Sequence, residues 1–428
     1  MTGRTVIIVG GGWAGCAAAL SAAMAGAETR LFEKTDMLLG AGLVGGIMRN
    51  NGRYTAAEEA LRMGGGGELF QATDEVARHV DVKFPGHSHA SLYDVAKVEP
   101  LVREHLTDAG VDIQTMRRIV GLTMNEDSLS ALVDEDGDVI LGDVFVDATG
   151  TSGPMGACVR HGNGCVMCIQ RCPAFGGRVS ITGRSGVREL MATKGPDLPG
   201  AMSGSGKLNR ESLSPGLIRT LDESGVAIVP LPEELTQLEK LASKPCQQYA
   251  LPEYADNIVL LDTGHVKLMT SYFPLDQLRT IEGFENARFE DPYAGGKGNS
   301  IRFTAIAPRN HVLQVNGRPN LFCAGEKAGV YVGHTEAIVT GMLAGHNAAR
   351  YLRNRELLEM STDTAIGELL ARGCEALLTP EGLAESQTLA GSVLFERLRK
   401  KNLYTTDSSV IDERIERTGL WRKFSRPL

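Results

Sequence analysis

The chain of 428 residues has no uninterrupted apolar run near the ~18 residues that a membrane span needs. It has no excess of positive charge either: 44 Lys and Arg stand against 52 Asp and Glu, a formal net charge of −8. A surface coated in cations is thereby excluded, and nucleic-acid binding would need a local basic patch. The start of the chain lacks a basic stretch followed by an apolar segment and a cleavage site, so no secretory leader is expected. The eight cysteines are unevenly spaced, unlike a disulfide scaffold. A phosphate-binding P-loop is also missing, because the segment from Gly200 has the wrong spacing and Leu208 stands where Ser or Thr is required. These absences give a cytoplasmic protein, with no membrane partner, as the expectation.

Glycine is what the sequence has in quantity: 51 residues, clustered rather than periodic, which excludes collagen-like repeats. The first cluster is the most informative. Thr5 to Val9 is a β-branched run suited to a strand buried on both faces of a parallel sheet. Gly10, Gly12 and Gly15 follow in G-x-G-x-x-G spacing, then an Ala-rich helix stopping near Gly26, then a second strand from Glu28 to Phe32 that ends at Glu33. Gly10 permits a tight turn, Gly12 lets backbone amides approach a pyrophosphate, and Gly15 lets the helix lie close on the sheet. The helix N-terminus offers unpaired N–H groups to that pyrophosphate. The Glu33 carboxylate can accept hydrogen bonds from both ribose hydroxyls, which disfavours a 2′-phosphate there. An adenine dinucleotide site is the expectation.

Later segments select FAD. "LLGAGLVGGIMRNNGR" supplies Gly40, Gly42, Gly45 and Gly46, a loop against which a longer cofactor can lie. "MRRIVGLTM", with Ile119 as a cofactor contact, and "SALVDEDGDVILGDVFVDATG" read as a small β-meander that runs into a strand ending at Gly150. Leu321 to Ala324 is a further strand, followed by a turn with Gly325 and Glu326 and by a helix that begins near Gly333 and carries Gly341 and Gly345 on its close-packed face. Glu326 can bind a ribityl hydroxyl, and the helix N-terminus can stabilise negative charge on a reduced flavin. His334 opens that helix as a candidate catalytic residue able to hydrogen-bond flavin or substrate. With no second G-x-G-x-x-G, any NAD(P)H must visit the flavin transiently.

"GFENARFED" from Gly283 and "LFCAGEKAGVYVGHTEAIVTGMLAGHNAAR" from Leu321 carry a resemblance. The chain resembles the flavoproteins with two dinucleotide-binding domains, and its C-terminal part is similar to the glucose-inhibited division protein A and folate-dependent RNA uridine methyltransferase group. The resemblance implies that the final strand and helix return to the first domain and complete an FAD site. The uridine methyltransferases carry a catalytic cysteine in the segment after the acidic ribose ligand. No cysteine occurs here between Cys16 and Cys158, so the resemblance does not reach that residue.

The expected fold is α/β: a Rossmann-like FAD-binding domain (parallel sheet plus β-meander) over residues 1–154 and 318–354, an inserted α+β substrate domain over 155–317, and a small helical C-terminal region over 355–428. Within the insertion, "GCVMCIQRCP" places Cys165, Cys168 and Cys172 directly after the flavin-contacting turn. As catalytic thiols beside flavin they could exchange electrons or attack an electrophilic carbon. The alternatives are an iron–sulfur or zinc site and plain structural cysteines. No metal ligand set is assigned. Two histidines, His87 and His89, lack a third ligand nearby and read as loop residues, whereas Arg302 and Arg309 are candidates to face the substrate. The leading function is an FAD-dependent oxidoreductase acting on a small molecule through the cysteine segment. The alternatives are a flavin-dependent tRNA or rRNA uridine-modifying enzyme and a flavin and iron–sulfur electron-transfer subunit, with RNA or a second copy of the chain as partners.

Overall fold

The computed structural model describes residues 4–150, 174–192, 201–202, 206–236, 238–241, 246–270, 273–290, 301–302 and 304–428. Its framework is a five-stranded parallel sheet. Strand β1 (Thr5–Val9) leads through helix α1 (Trp13–Met24) to β2 (Glu28–Phe32). Helix α2 (Gly52–Met63) lies beyond the cofactor loop, and strand β3 (Asp112–Gln114) adds to the sheet edge. After the β-meander, β4 (Val144–Asp147) enters, and much later β5 (Leu321–Cys323) and helix α3 (His334–Leu352) close the unit. The spatial order is β5-β4-β1-β2-β3. All four pairings are parallel, with Val6 beside Val144 and Thr29.

The sequence reason is visible in burial. Val6, Ile7 and Ile8 are fully buried, as a central parallel strand demands. Helices α1 and α3 cross at unusually short range because glycine sits at the contact. A Cβ on Gly341 would overlap the Ala14 carbonyl oxygen, and one on Gly345 would overlap that of Ala18. A helix with ordinary side chains at these positions could not complete the site.

Two parts of the chain join in ways the sequence conceals. The inserted segment forms an antiparallel four-stranded sheet (Gly206–Leu208, Val266–Leu268, Asn257–Asp262, Val226–Pro230). Its core is shared with a second antiparallel sheet from residues expected in the FAD-binding domain: Ile47, Val82, Phe84 and Leu92 pack with Tyr254, Val259 and Leu261. The C-terminal region is helical as expected, with α4 (Ala365–Ala376), α5 (Ser392–Lys400) and α6 (Ser408–Arg417). It is no detached unit, since Ile411, Ile415 and Phe424 belong to the same core as β1 and α1.

Candidate functional site

The glycine turn comes first. Gly10 has φ +101°, and a Cβ there would stand 2.5 Å from the Ala148 carbonyl oxygen. A Cβ on Gly15 would overlap the Gly10 carbonyl oxygen, so this glycine brings α1 down onto the turn. A Cβ on Gly12 would meet nothing within 4 Å, because it would point into the cavity itself. That cleft encloses about 1230 Å³ of space, part of it open to solvent. Gly10, Gly12, Glu33, Gly42, Ile119, Gly150, Gly325, Glu326, Gly333 and His334 all line it, while Gly15 acts one layer behind.

Each wall has a local cause. Glu33 is buried and anchored by two backbone donors, with Gly11 N–H at 2.7 Å from Oε2 and Thr35 N–H at 2.9 Å from Oε1. These bonds fix the carboxylate at the cavity edge, and each oxygen keeps acceptor capacity for a ribose hydroxyl. Asp147 ends β4 fully buried and accepts from Thr149 Oγ1 at 2.7 Å and from Thr182 N and Oγ1 at 2.8 Å, which pins the Ala148–Gly150 turn. Gly325, with φ +67°, donates its N–H to Thr340 Oγ1 at 2.9 Å and so ties the second glycine turn to α3.

His334 stands at the start of α3 directly over Gly45, where its Nε2 would overlap any Cβ. Its ring lies 6.5 Å from that of Trp13. Behind them Arg53 and Glu336 form a buried ion pair, with Arg53 Nε 3.1 Å from both carboxylate oxygens. Arg53 also donates to the Val332 carbonyl at 2.7 Å, and Glu336 accepts from Leu389 N at 2.8 Å and Thr388 Oγ1 at 3.0 Å. A compensated, fully bonded pair of this kind holds the loop before α3 in one geometry.

Several cavity residues escape sequence reasoning. Trp13 follows Gly12 directly; its buried Nε1 has no hydrogen-bond partner among the described residues, and the residue lines the cleft. Lys34, Arg117 and Arg118 surround the Glu33 end. Lys34 Nζ and Arg118 Nε donate to the carbonyls of Gly176 and Gly177 at 2.7 and 2.8 Å, so the chain crosses this end as a strap. Adjacency was the available signal: Lys34 follows the ribose acid and Arg117–Arg118 precede Ile119. At the opposite end, Lys267 of the inserted sheet donates to the carbonyls of Val44 and Gly45 at 2.8 and 2.7 Å, anchoring the cofactor loop.

Two expectations change. Arg309 does not face a substrate: it is buried, with Nε on the Ala328 carbonyl at 2.8 Å and Nη2 on the Tyr331 hydroxyl at 2.7 Å. A strand pattern alone does not tell which face such a residue takes. Nor is His87 a loop residue; it lies buried on the strand His87–Tyr93, between Phe84 and Tyr249. Burial holds its pKa down to about 3. His89 bonds Asp81 instead, at 2.8 Å. Among the described residues no group of three His, Cys, Asp or Glu side chains is arranged to hold a metal. Cys165, Cys168 and Cys172 lie outside the described residues, and of the Arg302 side chain nothing is described.

A cleft that begins at a ribose-binding acid, passes a glycine turn on a helix N-terminus and continues to a second helix N-terminus is shaped for a flavin dinucleotide. The Trp13 N–H, unbonded among the described residues, and the open face of Gly12 both fit such a ligand. The fold and site thus define a Rossmann-like flavoprotein with FAD as its cofactor. The chain belongs to the glucose-inhibited division protein A family, whose model matches residues 5–198 and 241–356.

Its curated relatives are similar over shorter stretches. The methylenetetrahydrofolate–tRNA-(uracil-5-)-methyltransferase TrmFO of Natranaerobius thermophilus is 36% identical over 98 residues, 23% of this chain and 22% of that protein. The tRNA uridine 5-carboxymethylaminomethyl modification enzyme MnmG of Desulfotalea psychrophila is 32% identical over 127 residues, 29% of this chain and 19% of that one. Each match spans about a fifth of the relative's length. The structure of Aquifex aeolicus GidA superposes with a TM-score of 0.64 at 16% identity, covering 96% of this chain and 76% of that chain, a likeness of fold.

Proposed function

We propose that the chain is an FAD-dependent enzyme that modifies a uridine in RNA. What carries the reading is the glycine-walled FAD cleft in a chain that is similar to curated proteins named for tRNA uridine chemistry. It takes precedence over the small-molecule oxidoreductase expected from the flavin motifs and the cysteine segment; the net charge that disfavoured RNA constrains the whole surface and not a local RNA contact. Bound in the cleft, FAD supplies electron or hydride transfer at the end lined by Gly42, Gly333 and His334.

The chain's own residues divide the remaining work. Glu33 accepts the ribose hydroxyls, and the first amides of α1 meet the pyrophosphate. Trp13 covers the cleft between the two helix N-termini and keeps water out. His334 is the group placed to move a proton at Nε2, and the Arg53–Glu336 pair keeps it in position. Methyl transfer through a cysteine in the cofactor loop is not part of this reading, since residues 17–157 contain none. Cys165, Cys168 and Cys172 remain the candidate thiols. We divide the chain into residues 1–154 with 318–354, 155–317 and 355–428, but assign the sheet of Ile47–Met48, Ala77–Phe84 and His87–Tyr93 to the substrate side, on the strength of its shared core.

The test is a gene deletion followed by mass spectrometry of tRNA and rRNA nucleosides. The expected result is loss or truncation of one uridine modification, restored by the wild-type gene and not by a His334→Ala copy. An unchanged nucleoside profile overturns the reading.

A further inference from the structure

The carboxyl end of α3 carries Arg350, Arg353 and Arg355, and the last residues of the chain carry Arg422, Lys423 and Arg426. The fold brings the two sets together. Arg353 Nη1 donates to the Leu428 carbonyl, and its Nη2 donates to the Gly26 carbonyl at 2.7 Å. The backbone N–H of Leu428 reaches Ala25 O at 3.1 Å. One turn earlier on α3, the His346 ring packs 4.6 Å from that of Phe424. From the other terminus, Arg4 Nη1 adds a bond to the Leu352 carbonyl at 3.0 Å.

Among the described residues, no Asp or Glu side chain lies within ion-pairing distance of any of these cations, and Arg353 is held by backbone oxygens. The contrast with the neighbouring helices is sharp. Arg397 and Lys401 both pair with Glu368, Arg399 pairs with Glu396, and Arg414 with the buried Glu59. Here the nearby acids make no close pair: Glu356 bonds Arg350 through its backbone carbonyl while its carboxylate acts only at longer range, and Glu68 takes the Ser425 hydroxyl. Partial burial first, and then the neighbouring Arg355, hold the Arg350 pKa below the ordinary arginine value against the opposing pull of Glu356. Arg355, Arg422, Lys423 and Arg426 are exposed, and Trp421 beside them is 39% exposed. Arginine is favoured at a helix C-terminus by the helix dipole, which accounts for Arg350 and Arg353. It does not account for three more cations in an adjacent tail of a chain with net charge −8.

We propose that this surface docks the phosphate backbone of an RNA. Uncompensated guanidinium groups and an exposed aromatic ring are the chemistry that phosphates and unstacked bases recognise. Its place in the fold gives the docking a purpose. The surface and the flavin end of the cleft lie at opposite ends of α3, about 28 Å apart for 19 residues. The helix itself is buried, so an RNA held there spans that distance over the outer surface to present a nucleotide at the cleft. The proposal rests on the RNA-uridine reading and names the surface that reading requires.

The test measures binding of an unmodified tRNA transcript to the FAD-loaded full chain by fluorescence anisotropy across a salt series. Its companion variant combines Arg355→Ala, Arg422→Ala, Lys423→Ala and Arg426→Ala. These side chains make no hydrogen bond among the described residues, so FAD content and melting temperature should stay as in wild type. The variant should bind at least about 10-fold more weakly near 0.1 M salt, with a salt slope flattened by about 0.9 for each phosphate no longer neutralised. If wild type binds the transcript and the variant binds equally well, the surface is wrong while the uridine reading stands. If wild type fails to bind at about 50 mM salt, both fall. Tighter binding to phosphatidylglycerol vesicles than to the transcript, abolished in the variant, also overturns the proposal in favour of a membrane surface.

Discussion

The two ends of α3 handle charge in opposite ways. At the amino end, Glu336 and Arg53 are almost completely buried, and each is bonded to the other and to further donors or acceptors. At the carboxyl end, cations gather towards water with no Asp or Glu side chain within ion-pairing distance among the described residues. Burial explains the difference. A charge removed from water must be matched, and once matched it holds its surroundings in place. An exposed charge needs no match, and without one it stays available to a ligand. The amino end is therefore built to position a cofactor and the carboxyl end to attract a polyanion.

Breaking the buried end should give the largest effect. Arg53→Ala leaves Glu336 uncompensated, and unfolding in urea should show a loss of about 3–5 kcal/mol together with loss of bound flavin. Next comes Gly345→Leu, which forces α3 away from the Ala18 carbonyl; overpacking of this kind costs up to about 3 kcal/mol and should lower the melting temperature.

His346 sharpens the comparison midway along the helix. It is fully buried with neither ring nitrogen bonded among the described residues, and burial holds its pKa down to about 3, with Arg350 and Lys423 adding to the effect. The folded state thus binds the proton less readily than the unfolded chain, whose histidine titrates near ~6.5. Its contribution to stability is complete above ~6.5 and is lost progressively as pH falls towards the folded value. At pH 5 the deficit is about 2 kcal/mol, and a His346→Leu variant should lack this portion of the acid sensitivity. His87 should contribute in the same direction. The smallest effect belongs to the exposed end: alanine at Arg355, Arg422 and Arg426 should shift stability by no more than about 0.5 kcal/mol.

Local pattern accounts for what was legible in the sequence. Strands β1 and β2 begin and end at the residues read from the sequence, because β-branched runs, fixed glycine spacing and a terminal acid are short-range signals. Gly10, Gly12, Gly42, Gly150, Gly325, Gly333, Glu33, Ile119 and Glu326 line the cleft for the same reason, with Gly15 one layer behind. What stayed hidden is non-local. Arg53 and Glu336 are 283 residues apart, and neither sits in a motif. The sheet around Leu92 gives no sign in its own sequence that its core partners are Tyr254 and Val259. Arg309 shows the converse, a strand-like context that says nothing about which side of the strand is buried.

Gly12 is where the FAD cleft can be tested most directly. Space for a side chain exists there, at φ −68°, and is the cofactor cleft itself. Gly12→Val should therefore fold, and melt as FAD-stripped wild type does, while failing to hold FAD. The deciding measurement is the flavin released on denaturing equal amounts of the two proteins. Wild type should release stoichiometric FAD and the variant almost none. A colourless wild type that takes up no FAD, or a variant that retains it, would contradict the assignment of this cleft.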